Sequence, residues 1–461
     1  MKIIKSLVLL SGLAGAAAAL SIDDWKAVSY AETLSVYLNG KAAGTMVCAV
    51  GVTGDTIVVE SALHTEVSSG GTSPIVASVI EKRYYAASGQ IIGADQEFVS
   101  PAGSNQWKLD KNVKDEWLLT VTAGGVKNSR VIQNVTDNAL STYEMAYGIK
   151  TRTLKTGMVW RDTILEFTSG EKVTTTVTCT EAPSGENDSL WKFTERNSIT
   201  GKDELWVVDK NVKTVSREIF PFEIRRGELQ AADTMRANIF ETFMIPAQRP
   251  AADNEKIVIN ADSSFQLDTS VSVFYRKVKG GYELIAQSSD CGKGSSREVS
   301  DSLKLYLKAT TTMQVDHPAI KKLAADIASK GSVCDRIGSM NAYVFNHLEK
   351  KYTATFSSAL ETLNAGFGDC GEHAVLLAAL LRASGIPARV IFGVVFMPNL
   401  KGYYYHAWVL AHTGEKWIFA DPALGVYPAN KDRLPFVIDD SGEKMLALAK
   451  VIGRLSVVYV K

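Results

Sequence analysis

The chain is expected to fold as an α+β domain preceded by a β-rich, mainly antiparallel region. Three observations carry that expectation. Between residue 22 and about residue 250, short runs such as "LSVYLNG", "TIVVESAL", "WLLTVTAGG", "KVTTTVTCT" and "ELWVVDKNV" alternate apolar and polar residues between Gly, Asn, Asp and Ser. That is the period-two pattern of antiparallel strands. From about His317 the spacing turns helical, and from Ala388 it returns to strands. Helices followed by strands make an α+β domain of the last third, and 461 residues are too many for one ordinary core.

Composition narrows the function classes. Hydrophobic residues make up 46% and charged residues 22%, and Lys plus Arg equal Asp plus Glu at 50 each. No charge excess points to nucleic acid or an anionic membrane surface. Residues 1–20, within "MKIIKSLVLLSGLAGAAAALS", read as a secretory signal: Lys2 and Lys5, an apolar run, then small residues. Cleavage is expected between about Ala18 and Ser21. A periplasmic or secreted address follows, without a lipid anchor, because no cysteine stands in the cleavage zone. No later run approaches the length of a transmembrane helix; "AVLLAALL" reads as a core helix face.

Residues 21–250 form the β-rich region, with room for two subdomains. "DKNVK" occurs at Asp110–Lys114 and Asp209–Lys213, soon after Trp107 and Trp206, a weak sign of a duplicated hairpin. Residues 251–316 read as linker and short strands: "MIPAQRPAADNEK" breaks the pattern with prolines, and "SVSVFYRKV" and "YELIAQS" follow. Residues 317–461 are the α+β domain. Its helices include "HPAIKKLAADIASK" and "SVCDRIGSMNAYVFNHLEKKY", where Cys334 reads as a half-buried thiol and His347 as a surface imidazole. Its strands are "ARVIFGVVFM", "YYYHAWVLA", "KWIFADP" and "RLSVVYVK".

The five cysteines, Cys48, Cys179, Cys291, Cys334 and Cys370, are an odd number, so at least one is unpaired within the chain. Their long spacings match no zinc pattern, and neither metal nor cofactor is expected. Cys370 stands apart by position. In "FGDCGEHAVLLAALLRASGIPAR", Asp369 can cap a helix with Cys370 at its first position and Glu372 completing a capping box. Leu376, Leu377, Leu380 and Leu381 give the apolar side, Gly385 the stop and Pro387 the barrier to continuation. Sulfur at a helix start meets the positive end of the dipole, which favours the thiolate. Gly368 and Gly371 leave room for a substrate, and the first-turn amides could hold an oxyanion.

A thiolate nucleophile needs an imidazole base and a group to orient it. Of the six histidines, His64 lies in the β region, His317 starts a helix and His373 shares the helix of Cys370. His406 and His412 remain. If the hairpin between "YYHAWVLA" and "KWIFAD" turns on Thr413-Gly414, His406 falls directly opposite Asp421. The site is then Cys370, His406 and Asp421. Binding of a metal by these three has no spacing to support it. Tyr403–Tyr405 and Trp408 could line a groove, although a core role is the commoner one for aromatic residues in a strand.

These stretches, "SALETLNAGFGDCGEHAVLLAALLRASGIPARVIFG", "YYYHAWVLA" and "KWIFADPALG", resemble the transglutaminase-like superfamily. The resemblance implies a papain-like C-terminal domain in which Cys370 is the thiolate, His406 moves the proton and Asp421 orients the ring. It implies acyl transfer through a thioester, with hydrolysis of a peptide or protein amide as the leading expectation. The alternatives are protein cross-linking at glutamine, or a binding or assembly module with weak catalysis. Tyr352 and Asn364 are candidates to assist the oxyanion. No calcium loop is present, and nothing in the chain specifies an oligomeric state.

Overall fold

The computed structural model describes residues 22–460 except 69–73, 101–102, 124–125, 136, 138–140, 167–171, 185–188, 199–200, 220, 228–243, 253, 262–264, 286–289, 293–298, 328–330, 352–356, 431 and 441–454. The expected signal segment and Tyr352 lie outside the described residues. The chain divides into two compact units, Met1–Thr242 and Phe243–Lys461.

The first unit is built on one 14-stranded sheet in which neighbouring strands are antiparallel. The five quoted alternating runs all lie in or across its strands. The strand Tyr30–Leu38 pairs on one side with Lys41–Thr53 and on the other with Phe222–Arg226, so the first and last strands of the unit meet mid-sheet. The helix Ser141–Lys150 interrupts the strand run and adds Met145 and Ile149 to a core with Trp160, Phe193 and Trp206.

Both "DKNVK" copies sit at hairpins, but the shared letters are out of step. In the first, Asn112 starts the turn, its side chain accepts from Lys114 and Glu116 amides, and Asp115 takes φ 62°. In the second, Asp209 starts it, accepting from Asn211 and Lys213 amides, and Val212 takes φ 65°. The same turn geometry is reached two motif positions apart. Asx side chains cap such turns wherever they fall, so the echo marks no duplicated unit.

The second unit includes residues 251–316. Lys256–Ala261 pairs with Gly281–Leu284 and with the terminal strand Leu455–Val460, and Tyr275–Val278 completes a four-stranded sheet. Of "SVSVFYRKV", expected as strand, the first five residues belong to a 3₁₀ turn at Thr269–Phe274 and the last four are strand. The prolines of the expected linker do not keep it apart either, since Ile245–Pro246 pairs with Gly402–Tyr403. A second sheet runs Ile245–Pro246, Gly402–His412, Ala388–Met397, Arg433–Ile438, with Trp417–Ala420 also on Gly402–His412. The helices Pro318–Ile327, Val333–His347 and Ala359–Ala365 pack on the helix Cys370–Ala383.

That last helix is buried along nearly its whole length, and Leu376, Leu377, Leu380 and Leu381 are at most 1% exposed. Each contributes roughly 1.5–3 kcal/mol by leaving water. Cys291 and Cys334 form a disulfide, which corrects the reading of Cys334 as a thiol. Cys48, Cys179 and Cys370 are free. No described helix is long and apolar enough to cross a membrane.

Candidate active site

The helix Cys370–Ala383 begins as its local sequence dictates. The Asp369 side chain accepts the Gly371 amide at 2.7 Å, and Glu372 reaches back to the Asp369 amide at 3.0 Å. The other Glu372 oxygen takes the Ser357 amide at 2.9 Å. Gly368 is required by close approach: a Cβ there would stand 2.4 Å from that of Glu372. The helix closes at Ser384, followed by Gly385 at φ 77°. One expectation changes in detail, because the Gly371 amide is engaged by Asp369 rather than turned to the sulfur.

Cys370 is partly exposed, and its thiol lies close enough to the His406 ring to act on its charge. His406 lies on Gly402–His412, the strand on which this helix packs, and is 7% exposed. Its Nε2 meets Asp421 Oδ2 at 2.8 Å, which leaves Nδ1 for the sulfur. Burial disfavours the imidazolium, but Asp421 and then Cys370 outweigh it, and the His406 pKa rises to about 10. Asp421 moves the opposite way: burial raises it, yet His406 and Arg433 hold it well below the usual carboxylate range.

The hairpin register differs from the expected one. The ladder pairs His412 with Trp417 and Val409 with Ala420, two residues off the Thr413-Gly414 turn. A four-residue loop, Thr413–Lys416, closes it, with the Thr413 amide on the Lys416 carbonyl at 2.9 Å. His406 and Asp421 are therefore diagonal neighbours past the end of the ladder rather than a directly opposed pair. A slip of two keeps both side chains on the same face, and diagonal partners remain within reach. Asp421 is steadied outside the ladder by its bridge to Val426 and by the Leu424 amide on its Oδ1 at 3.0 Å.

Arg433 is the member that the sequence reading missed. Its Nη2 and Nε donate to Asp421 Oδ2 at 2.6 and 2.9 Å, and Nη1 donates to Asn430 at 2.9 Å. The strand Arg433–Ile438 was not anticipated, since Pro435 reads as a strand breaker. It is accommodated on the sheet edge, opposite Gly393 at an irregularity in the pairing.

The other histidines stand apart from this pairing. His64 contacts Ser78, His317 caps the Ala319 amide, His347 stacks on Tyr343, and His412 accepts from Gly414. His373 is fully buried, with Nδ1 on the Asp369 carbonyl at 2.7 Å, and burial lowers its pKa. Tyr403, Tyr404 and Trp408 are buried in the core, while Tyr405 is half-buried. Asn364 is exposed on the helix Ala359–Ala365. Among the described residues no cluster of His, Cys, Asp and Glu is suited to a metal.

No curated protein gives a significant match to the chain. Among solved structures, a Cytophaga hutchinsonii protein assigned provisionally as a cysteine protease aligns at 16% identity and TM-score 0.30. The alignment covers 47% of this chain and 82% of that one. A β-barrel-like protein of a domain of unknown function from Brucella abortus aligns at 12% identity and TM-score 0.31, over 43% and 94%. A Parabacteroides distasonis protein assigned provisionally as a protease aligns at 12% identity and TM-score 0.22, over 75% and 69%. Scores this low bear on neither activity nor substrate. The family profile described as the transglutaminase-like superfamily matches residues 321–422, a span that holds Cys370, His406 and Asp421. The C-terminal unit of this chain therefore contains a transglutaminase-like domain.

Proposed function

We propose that the second unit is a cysteine-dependent acyl-transfer enzyme that hydrolyses amide bonds in protein or cell-wall peptide. The observation that carries the reading is one buried imidazole bonded to Asp421, with the partly exposed Cys370 thiol near enough to act on it. In this reading the Cys370 thiolate attacks the amide carbonyl, and the C–N bond breaks as His406 gives its proton to the leaving amine. A thioester remains. Water then loses a proton to His406, adds to the thioester carbonyl and releases the acid with the thiolate. Asp421 keeps the ring oriented throughout and stabilises its protonated form.

Two features support action outside the cytoplasm: the charged, apolar, then small-residue start of the chain, and the Cys291–Cys334 disulfide. The test is a peptide-amide library with the wild type and Cys370→Ala. Turnover is expected to fall by at least about a thousandfold with folding intact. Undiminished turnover in Cys370→Ala, or preferential labelling of Cys48 or Cys179 by a thiol probe, would overturn the reading. Incorporation of a labelled amine into a glutamine peptide would instead make the acceptor an amine, and the enzyme a cross-linker.

A further inference from the structure

We propose that Arg433 is a positioning residue that balances the charge of Asp421, so that an imidazolium–thiolate pair persists at His406 and Cys370. The proposal rests on the nucleophile reading above. Asp421 is fully buried and Arg433 is 3% exposed, so water does not compensate either charge. One oxygen, Asp421 Oδ2, takes His406 Nε2 at 2.8 Å and two Arg433 nitrogens at 2.6 and 2.9 Å. Arg433 is itself held by Asn430 at 2.9 Å. A guanidinium forked on a carboxylate is a fixed cation that no neutral pH removes.

The ion-paired site then contains two anions, Asp421 and the Cys370 thiolate, and two cations, His406 and Arg433. Take Arg433 away and the buried set with its thiolate carries a net negative charge. Buried uncompensated charge is costly, and a titratable group relieves it by taking up a proton. The sulfur or Asp421 would accept that proton, and either outcome removes the reactive pair.

The neighbours do not supply a substitute cation. His373, one turn along the Cys370 helix, is kept neutral by burial. Asp369 and Glu372, on the same helix, add negative charge, although both are engaged by backbone amides of the cap. Lys350, on the short strand beside Phe367–Gly368, is exposed, so water screens its charge. The forked contact has a second consequence. It keeps Oδ2 a poor base, so the proton stays on His406 instead of passing to Asp421.

The experiment uses the full chain and needs no known substrate: the alkylation rate of Cys370 by iodoacetamide as a function of pH, read by mass spectrometry of the Cys370 peptide. For Arg433→Gln, the acidic limb of the rate is expected to move to higher pH by about one to two units. Reactivity at low pH should fall about tenfold for each unit of that shift. Arg433→Lys should recover most of the limb, because it restores the charge. If Arg433→Gln does not fold, Asn430→Ala loosens the guanidinium without touching Asp421 and should shift the limb in the same direction by less. An unmoved limb in the folded variant, with only lower thermal stability, would show a merely structural arginine and overturn the proposal. Retained turnover in Cys370→Ala would instead sink the nucleophile reading, so the two failures are distinguishable.

Discussion

Arg83 in the first unit and Arg433 in the second are both nearly fully buried, at 1% and 3% exposure, and both fork onto acidic partners. What lies beyond those partners differs. Arg83 bonds Glu81 at 2.6 Å, Asp137, and the Leu165 carbonyl at 3.0 Å. The remaining oxygens go to Gln96 at 2.9 Å and Tyr85 at 2.8 Å. These branches end on Gln96, Tyr85 and a backbone carbonyl, all of them buried. From Arg433 the bonds continue through Asp421 to an imidazole, and a partly exposed sulfur lies near that ring. Similar buried charge can brace a fold or, when its last member titrates and meets solvent, support chemistry.

Substitutions at the two clusters should therefore fail differently. Asp421→Asn is expected to have the largest effect, lowering kcat by roughly two to four orders of magnitude, because a neutral amide does not stabilise the imidazolium and can hold the ring in the wrong tautomer. Single-turnover kinetics on folded protein would check it, and unchanged kcat would place Asp421 with the bracing cluster. Arg83→Met should destabilise the first unit by about 3–5 kcal/mol, since Glu81 and Asp137 lose their common cation. Denaturant unfolding followed by tryptophan fluorescence measures this, as Trp160, Trp191 and Trp206 all lie in that unit. Alkylation of Cys370 in the folded variant should be unaltered.

A smaller effect is expected from removing the disulfide. Cys291 and Cys334 are 43 residues apart, and on the chain-entropy account their link stabilises the second unit by up to about 4 kcal/mol. The double serine variant should unfold earlier while keeping its pH profile. Wild type itself should show the titration of the His406–Asp421 pair in its stability. The His406 value is raised from 6.5 to about 10, so its contribution is complete below pH 6.5 and is lost as pH rises through about 10. The Asp421 value is lowered from 3.8, so its contribution is present above that pH and is lost as pH falls through the folded value. This pair therefore favours the folded unit most between about pH 4 and 6.5. Unfolding midpoints between about pH 6.5 and 10 should show that decline in wild type and lose it in His406→Gln. Gly368→Ala is the mildest change, costing about 1–3 kcal/mol as Glu372 gives way to the new methyl.

Local relations were legible without coordinates. Asp369, Cys370 and Glu372 lie within one helical turn, so a capping box written as Asp-x-x-Glu forms wherever the rest of the chain goes. Strand faces were also legible, because period-two patterning survives a register slip of two. That is why His406 and Asp421 still share a face although the hairpin closes differently.

What the tertiary structure decided lies between residues distant in the chain. Cysteine counting left the pairing open, and packing joined Cys291 to Cys334. The letters of "DKNVK" repeat, yet each hairpin chose its own Asx residue to start the turn. Arg433 sits in a stretch interrupted by Pro435, and only the meeting of its strand with Ala388–Met397 aims it at Asp421. A sequence carries the spacing of neighbours directly. The pairing of distant charges depends on which strands adjoin, and the whole core settles that through the burial it achieves.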